Sequence, residues 1–299
     1  MATVFEILLF ENSVDAELVS NAIFEEIDRI EQELSYFIPS SDIFRFNRLQ
    51  AGQPLRLGVS AFDCITLAKE VYTQTNGAFD PTAGALIAGR SPWDEQEENP
   101  IGGVFPPESE ERIQVGMDAI AIDTESHSAT KLADGVTIDL GGIGKGYALD
   151  QAKTILEDWG IETALIHAGQ STSLPLGAPP DQKGWPMRIL DPRNEKDELA
   201  RFELQNMVIS ASASINDSHI LDPFTGAPVE KRLGAWAIAA TGATADALST
   251  AFMVMDSENI RRYCEEHSDV WAFLVEIENN QLGIKYFGDW KRFSLELVF

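Results

Sequence analysis

The 299-residue sequence predicts an α+β protein with mainly antiparallel β-sheets and helices packed on them. Two observations lead there. Short apolar runs at 119–123, 129–132 and 136–140 alternate with polar turns, as in an antiparallel meander. Helical periodicity is confined to a few separated stretches, so strands come in runs and not in strict strand–helix alternation. Hydrophobic residues make up 44% of the chain, enough for a large core, and 1–299 reads as one elaborate domain, at most divided into two lobes.

Residues 3–10 read as an opening strand. Residues 15–35 form the longest helix, with Val19, Ile23, Ile27, Ile30 and Leu34 at helical spacing and acids on the other side. Pro39 and the serines beside it break that helix, and short apolar segments follow. A second helix starts at Ser60, with Asp63 as its capping-box partner, and Gly77 ends it. The stretch GAFDPTAGAL (77–86) is turn-rich, with Phe79 as anchor, Asp80 as cap and Pro81 fixing the backbone. Residues 91–112 have no periodicity and are expected as an acidic surface loop.

The strand at 136–140 leads through Gly141, Gly142, Gly144 and Gly146 into a helix over 147–159, with Ala148, Ala152, Ile155 and Trp159 on one face. Strands are expected at 163–168, 185–190 and 202–214, a turn-rich stretch at 169–180 and a charged loop at 193–201. Residues 219–229 are again turn-rich. A strand at 235–240 precedes a helix over 241–255 that turns Leu248, Ala251, Phe252 and Met255 inward. Another short helix starts at Ser257, and strands at 270–275, 284–287 and 295–299 close the chain.

Charge and cysteine usage exclude several functions. With 48 acidic against 22 basic residues the net charge is −26, which argues against nucleic acid and anionic membranes as partners. A phosphate ester would need a metal or a focused basic spot to overcome that field. Cys64 and Cys264 make neither a disulfide framework nor a metal cluster. No apolar run reaches the length of a membrane span. The N-terminal stretch has no basic residue before Arg29 and is interrupted by Glu6 and Glu11, so no secretory signal is read and a cytoplasmic location is expected.

Three constellations could carry chemistry. In VTIDLGGIGKGYALD (136–150) a strand, a glycine turn and a helix N-terminus expose backbone N–H groups that can cradle phosphate, and Lys145 adds a full positive charge. The spacing is neither GxxxxGK[ST] nor the usual GxGxxG, so a phosphate site and a tight structural turn both remain open. Asp246 and Thr250, four apart on a helix, project oxygens from one face, a pair suited to Mg²⁺; a dipole-paired Asp and a back-bonded Thr would look the same. His219, after Ser218 and before Asp222-Pro223, is either a base for a hydroxyl nucleophile or a structural histidine bridging the turn.

Five blocks stand along the chain: ELSYFIPSSDIFRFN (33–47), GAFDPTAGAL (77–86), DLGGIGKGYALD (139–150), SHILDPFTGAPV (218–229) and ADALSTAF (245–252). Together, and in this order, they resemble the ApbE family of FAD:protein FMN transferases. The resemblance implies two interlocked lobes with FAD between them. It also implies Mg²⁺-dependent transfer of FMN from FAD to a threonine hydroxyl of an acceptor protein, with release of AMP. By position, Asp246, Thr250 and the backbone near Gly144 match the family's metal ligands, and His219 matches its proposed base. Lys145 would lie near the pyrophosphate, with Gly141, Gly142, Gly144, Gly146 and Gly169 on the FAD-binding side. Two stretches depart from the pattern. His167-Ala168-Gly169-Gln170-Ser171 stands where members usually show Asn-Ala-Gly-Gly-Asp, and 211–216 stands where they show Thr-Ser-Gly and a longer loop. These departures give weight to one alternative, an FAD-binding carrier or sensor without transfer; a second is a pyrophosphatase giving FMN and AMP, with water in place of the acceptor threonine.

Overall fold

The computed structural model describes residues 3–10, 15–84, 115–213, 220–230, 232–278 and 281–298; the stretch 91–112 and His219 lie outside the described residues. The first half of the chain supplies β1 (Phe5–Leu9), α1 (Ala16–Leu34), α2 (Asp42–Asn47), β2 (Pro54–Arg56), α3 (Val59–Gln74), β3 (Ile120–Asp123), β4 (Ser128–Lys131) and α4 (Gly144–Asp158). There follow β5 (Ala164–Ala168), β6 (Thr172–Leu176), β7 (Trp185–Asp191), β8 (Asn194–Leu204), β9 (Val208–Ala213) and β10 (Arg232–Ala239). Last come α5 (Gly242–Val254), α6 (Ser257–Glu266), β11 (Trp271–Glu278), β12 (Gln281–Phe287) and β13 (Glu296–Leu297).

Seven strands make the central sheet, in the order β1-β5-β6-β9-β10-β11-β12, and every neighbouring pair is antiparallel. There are two further antiparallel sheets of three strands each, β13-β8-β7 and β2-β4-β3. The period of two along a strand sorts side chains between two cores. On β11, Trp271, Phe273 and Val275 enter a smaller core with β7 and β8, while Ala272 and Leu274 enter the main core with the helices. The central sheet is therefore covered by helices on one face and by a small sheet on the other. This is the expected α+β class.

Helix α1 forms where its apolar stripe predicts: Val19, Ile23, Ile27, Ile30 and Leu34 are buried, and Asp15 caps the N–H groups of Glu17 and Leu18 at 3.1 and 3.2 Å. Helix α3 starts differently from expectation. Asp63 makes no capping box; its carboxylate accepts from the Tyr147 hydroxyl at 3.1 Å. The cap comes from α1, where Glu33 accepts the Ser60 and Ala61 N–H groups at 2.9 and 3.3 Å. Trp159, expected on the buried face of α4, is its C-cap and 40% exposed. Leu149 and Leu156 fill the buried face instead.

Four strand expectations change, the first being that the run expected at 202–214 is two strands, the end of β8 and β9, separated by 205–207. Residues 136–140, expected as a strand, do bury Val136, Ile138 and Leu140, but they join no sheet. Asn47 takes the place of a partner strand: its side chain accepts the Ile138 N–H at 2.8 Å and donates to the Ile138 carbonyl at 2.9 Å. The supposed charged loop at 193–201 belongs to β8, whose outer end is solvated on both faces and so tolerates acids and lysine. The turn-rich 169–180 contains β6, which pairs with β5 and β9 despite Pro175. Among the described residues no helix is long and apolar enough to cross a membrane.

Candidate active site

The site is built where α4 and α5 start. After the extended segment at 136–140 the chain turns, and α4 begins at Gly144, bonded to the Leu140 carbonyl at 2.8 Å. Asp150 on α4 then accepts the first N–H groups of α5, from Gly242 at 2.6 Å and Ala243 at 2.9 Å, which ties the two helices together. Burial pushes the Asp150 carboxyl above its ordinary value, against these two bonds.

Asp246 is 2% exposed and its carboxylate collects donors from three directions. The Gly146 N–H reaches it at 3.1 Å, the Ser210 hydroxyl at 3.0 Å, and the Lys145 ammonium at 3.2 and 3.3 Å from its two oxygens. Lys145 also donates to the Gly141 carbonyl at 3.1 Å. One turn along α5, Thr250 shares a hydroxyl contact of 3.2 Å with Ser212, which also meets Ser249 at 2.9 Å. The Ser-Ala-Ser alternation of β9 makes this possible, because the strand's period puts Ser210 and Ser212 on the face that α5 covers.

A cavity of about 380 Å³ opens over this cluster. Five separate stretches line it: 78–84, 139–145, 211–212, 220–223 and 246–250. Asp80 holds the first of them in shape by accepting the Thr82 N–H and hydroxyl at 2.9 and 2.6 Å. Close packing joins that stretch to the glycine turn, since a Cβ on Gly84 would stand 2.7 Å from the Asp139 Cβ. A second cavity, also about 380 Å³, lies on the other side of Asp139, Gly141 and Lys145, and Leu34, Tyr36, Phe37 and Ile38 make it apolar. Asp139 thus stands between a polar and an apolar compartment. Its carboxyl opens onto them, yet the desolvating protein around it holds it above its ordinary value, against the Gly141 N–H and Lys145.

The structure brings Asp246, Thr250, Gly141, Gly142 and Lys145 together at the polar cavity. Gly144 lines the apolar one, and the carbonyl beside the Asp246–Lys145 pair belongs to Gly141. Gly146 is buried between helices, where a side chain would collide with the Gly242 backbone. Gly169 has a positive φ of 62° at the β5–β6 turn and, like the exposed Gln170, lines neither cavity. Sequence reading missed Asp139, Ser210 and Ser212; the alternating Ser-Ala-Ser of β9 was the available signal.

The donor set suits a small hard cation: one carboxylate, the Thr250 and Ser212 hydroxyls and a backbone carbonyl. Among the described residues no group of three or more His, Cys, Asp or Glu gathers to hold a metal. A cation here would complete its shell with water and substrate oxygens, as Mg²⁺ does.

Fold and site define an α+β protein with a polar cavity that joins a buried carboxylate, hydroxyls, a lysine and a glycine turn, next to an apolar cavity. The chain belongs to the ApbE family, whose model matches residues 1–274. It is 28% identical over 256 residues to the FAD:protein FMN transferase of Escherichia coli K12, covering 79% of this chain and 70% of that one. The FAD:protein FMN transferase of Haemophilus influenzae is 26% identical over 301 residues, covering 93% and 85%. Among solved structures, the ApbE protein of Thermotoga maritima superposes with a TM-score of 0.82 at 26% identity, over 97% and 96% of the two chains. The flavin transferase ApbE of Vibrio cholerae, at 22% identity, shares the fold with a TM-score of 0.84 over 98% and 96%.

Proposed function

We propose that this protein transfers FMN from FAD to a threonine hydroxyl of an acceptor protein, releasing AMP, with Mg²⁺ held by Asp246, Thr250 and a backbone carbonyl of the glycine turn. The reading is supported by family membership together with one observation: a single cavity joins a buried carboxylate, paired hydroxyls, a lysine and the Gly141–Gly142 turn. When bound, Mg²⁺ would neutralise the pyrophosphate and the departing AMP. Lys145 offers an ammonium to a phosphate oxygen, and the apolar compartment beside Asp139 offers Tyr36 and Phe37 to a flat ring. Ile220, Leu221 and Pro223 form one wall of the cavity, on the side from which the acceptor hydroxyl would approach the FMN-side phosphorus.

His219 is the proposed base for the acceptor hydroxyl. Its chain neighbours Ile220 and Leu221 line the polar cavity, which supports the assignment. Such a base contributes about a hundredfold to ten-thousandfold in rate, because a threonine hydroxyl is a poor nucleophile near neutral pH. Gln170, which gave weight to a carrier without transfer chemistry, stands away from both cavities. The test is incubation with FAD, Mg²⁺ and an acceptor domain, read by mass spectrometry for the mass of FMN on a threonine. His219→Asn should lose that product while keeping FAD affinity. FAD bound with no labelled acceptor from the wild type would favour a carrier, and AMP released without label would favour hydrolysis.

A further inference from the structure

We propose that Lys145 is the stand-in cation of the metal site: in the metal-free protein it neutralises Asp246, and on metal binding it yields that place and moves to the substrate's pyrophosphate. The inference rests on the metal assignment made above and adds to it a coupling between metal and pyrophosphate.

The ammonium sits among three oxygens, 3.2 and 3.3 Å from the two of Asp246 and 3.1 Å from the Gly141 carbonyl. A carboxylate and a carbonyl around one positive centre are what a hard divalent cation takes. Asp246 is buried, so its charge needs a partner in every state of the protein. Lysine supplies one until a metal does. A divalent cation on this carboxylate repels the ammonium beside it, which favours the lysine's departure.

Lys145 is free to leave. Its side chain is 25% exposed, it lines both cavities, and its flexible stem swings the charge between them. Nothing in helix energetics explains it, since a cation in the first turn of α4 opposes the helix dipole. The cavity's charges supply the reason. Among the described lining residues, Asp80, Asp139 and Asp246 face a single cation, Lys145. While Lys145 is spent on Asp246, a pyrophosphate meets the remaining carboxylates with no free positive charge among the described lining residues. Once a metal takes Asp246, the metal and the released ammonium both serve the anion. Each ligand then favours the other, by the same factor in both directions.

The test is the rate of Lys145 acetylation by acetic anhydride in the wild-type protein, read by mass spectrometry, with Mg²⁺ binding followed by calorimetry on the same sample. Lys145 should react slowly without metal, at least about fivefold faster with saturating Mg²⁺, and slowly again with Mg²⁺ plus ADP, the adenine half of FAD with both phosphates. Mg²⁺ should also tighten ADP binding about tenfold in the wild type and about twofold or less in Lys145→Met. Should that variant fail to fold, the wild-type reactivity pattern decides alone. Mg²⁺ binding with unchanged Lys145 reactivity would overturn the inference and leave the metal site standing. No Mg²⁺ binding would overturn both.

Discussion

Gly146 on α4 and Gly242 at the start of α5 touch backbone to backbone, so closely that a Cβ on either would collide with the carbonyl of the other. This contact sets the distance between the glycine turn and the carboxylate of Asp246, one turn further along α5. Gly146→Ala should therefore force the helices apart and cost about 3 kcal/mol, the upper range for overpacking. Urea denaturation measures it. A variant as stable as the wild type would mean that the helices separate without strain.

Asn47 should matter beyond its own helix. It satisfies both backbone groups of Ile138 and so holds the extended segment that leads into the site. Asn47→Ala leaves two polar groups without partners and should cost about 2 kcal/mol. FAD affinity should fall with it, because Asp139 and Gly141 lose their support. Denaturation and FAD titration of the same variant check both; unchanged FAD affinity would show that the turn is fixed elsewhere.

The pH dependence of stability should carry the mark of Glu276. Burial raises its carboxyl, but hydrogen bonds from Lys285 at 2.8 Å and from Arg232 outweigh burial and leave it below its ordinary value. A depressed carboxyl contributes stability above its unfolded value of 4.5, lost as pH falls through the lower folded value. Glu276→Gln should be about 3 kcal/mol less stable at neutral pH, since Arg232 keeps a buried charge. The difference should shrink on the acid side. Stability curves that run parallel across that range would contradict this.

Asp139 should behave in the opposite sense. Its raised carboxyl favours the folded state below the unfolded value of 3.8, an advantage lost as pH rises through the folded value. Asp139→Asn keeps an acceptor for the Gly141 N–H and removes a charge that is unfavourable at neutral pH. The variant should be more stable there and bind ADP more tightly. Weaker ADP binding with unchanged stability would mean that the carboxylate contacts the ligand directly.

Much of this was legible in the sequence, for physical reasons that differ by element. Helix α1 announces itself through local spacing and its Asp15 cap. The Asp246–Thr250 pair was legible because both lie on one helix face. Strand β6 was hidden, because Thr172, Ser173 and Pro175 signal turns, and pairing on both sides overrides them. Segment 136–140 was read as a strand from its short apolar run between polar turns; that Asn47 replaces a partner strand is a contact across 91 residues. Ser210 and Ser212 acquire meaning only from the packing of α5 on β9, as does the pairing of Lys145 with Asp246.

The most direct measurement of the central claim is the ratio of AMP released to FMN attached on an acceptor domain, for the wild type and for Asp246→Ala with saturating FAD and Mg²⁺. One AMP should appear per FMN-labelled threonine in the wild type, and neither product above background in the variant, which should remain folded. AMP in large excess over label, or an Asp246→Ala variant that transfers at the wild-type rate, would contradict the account.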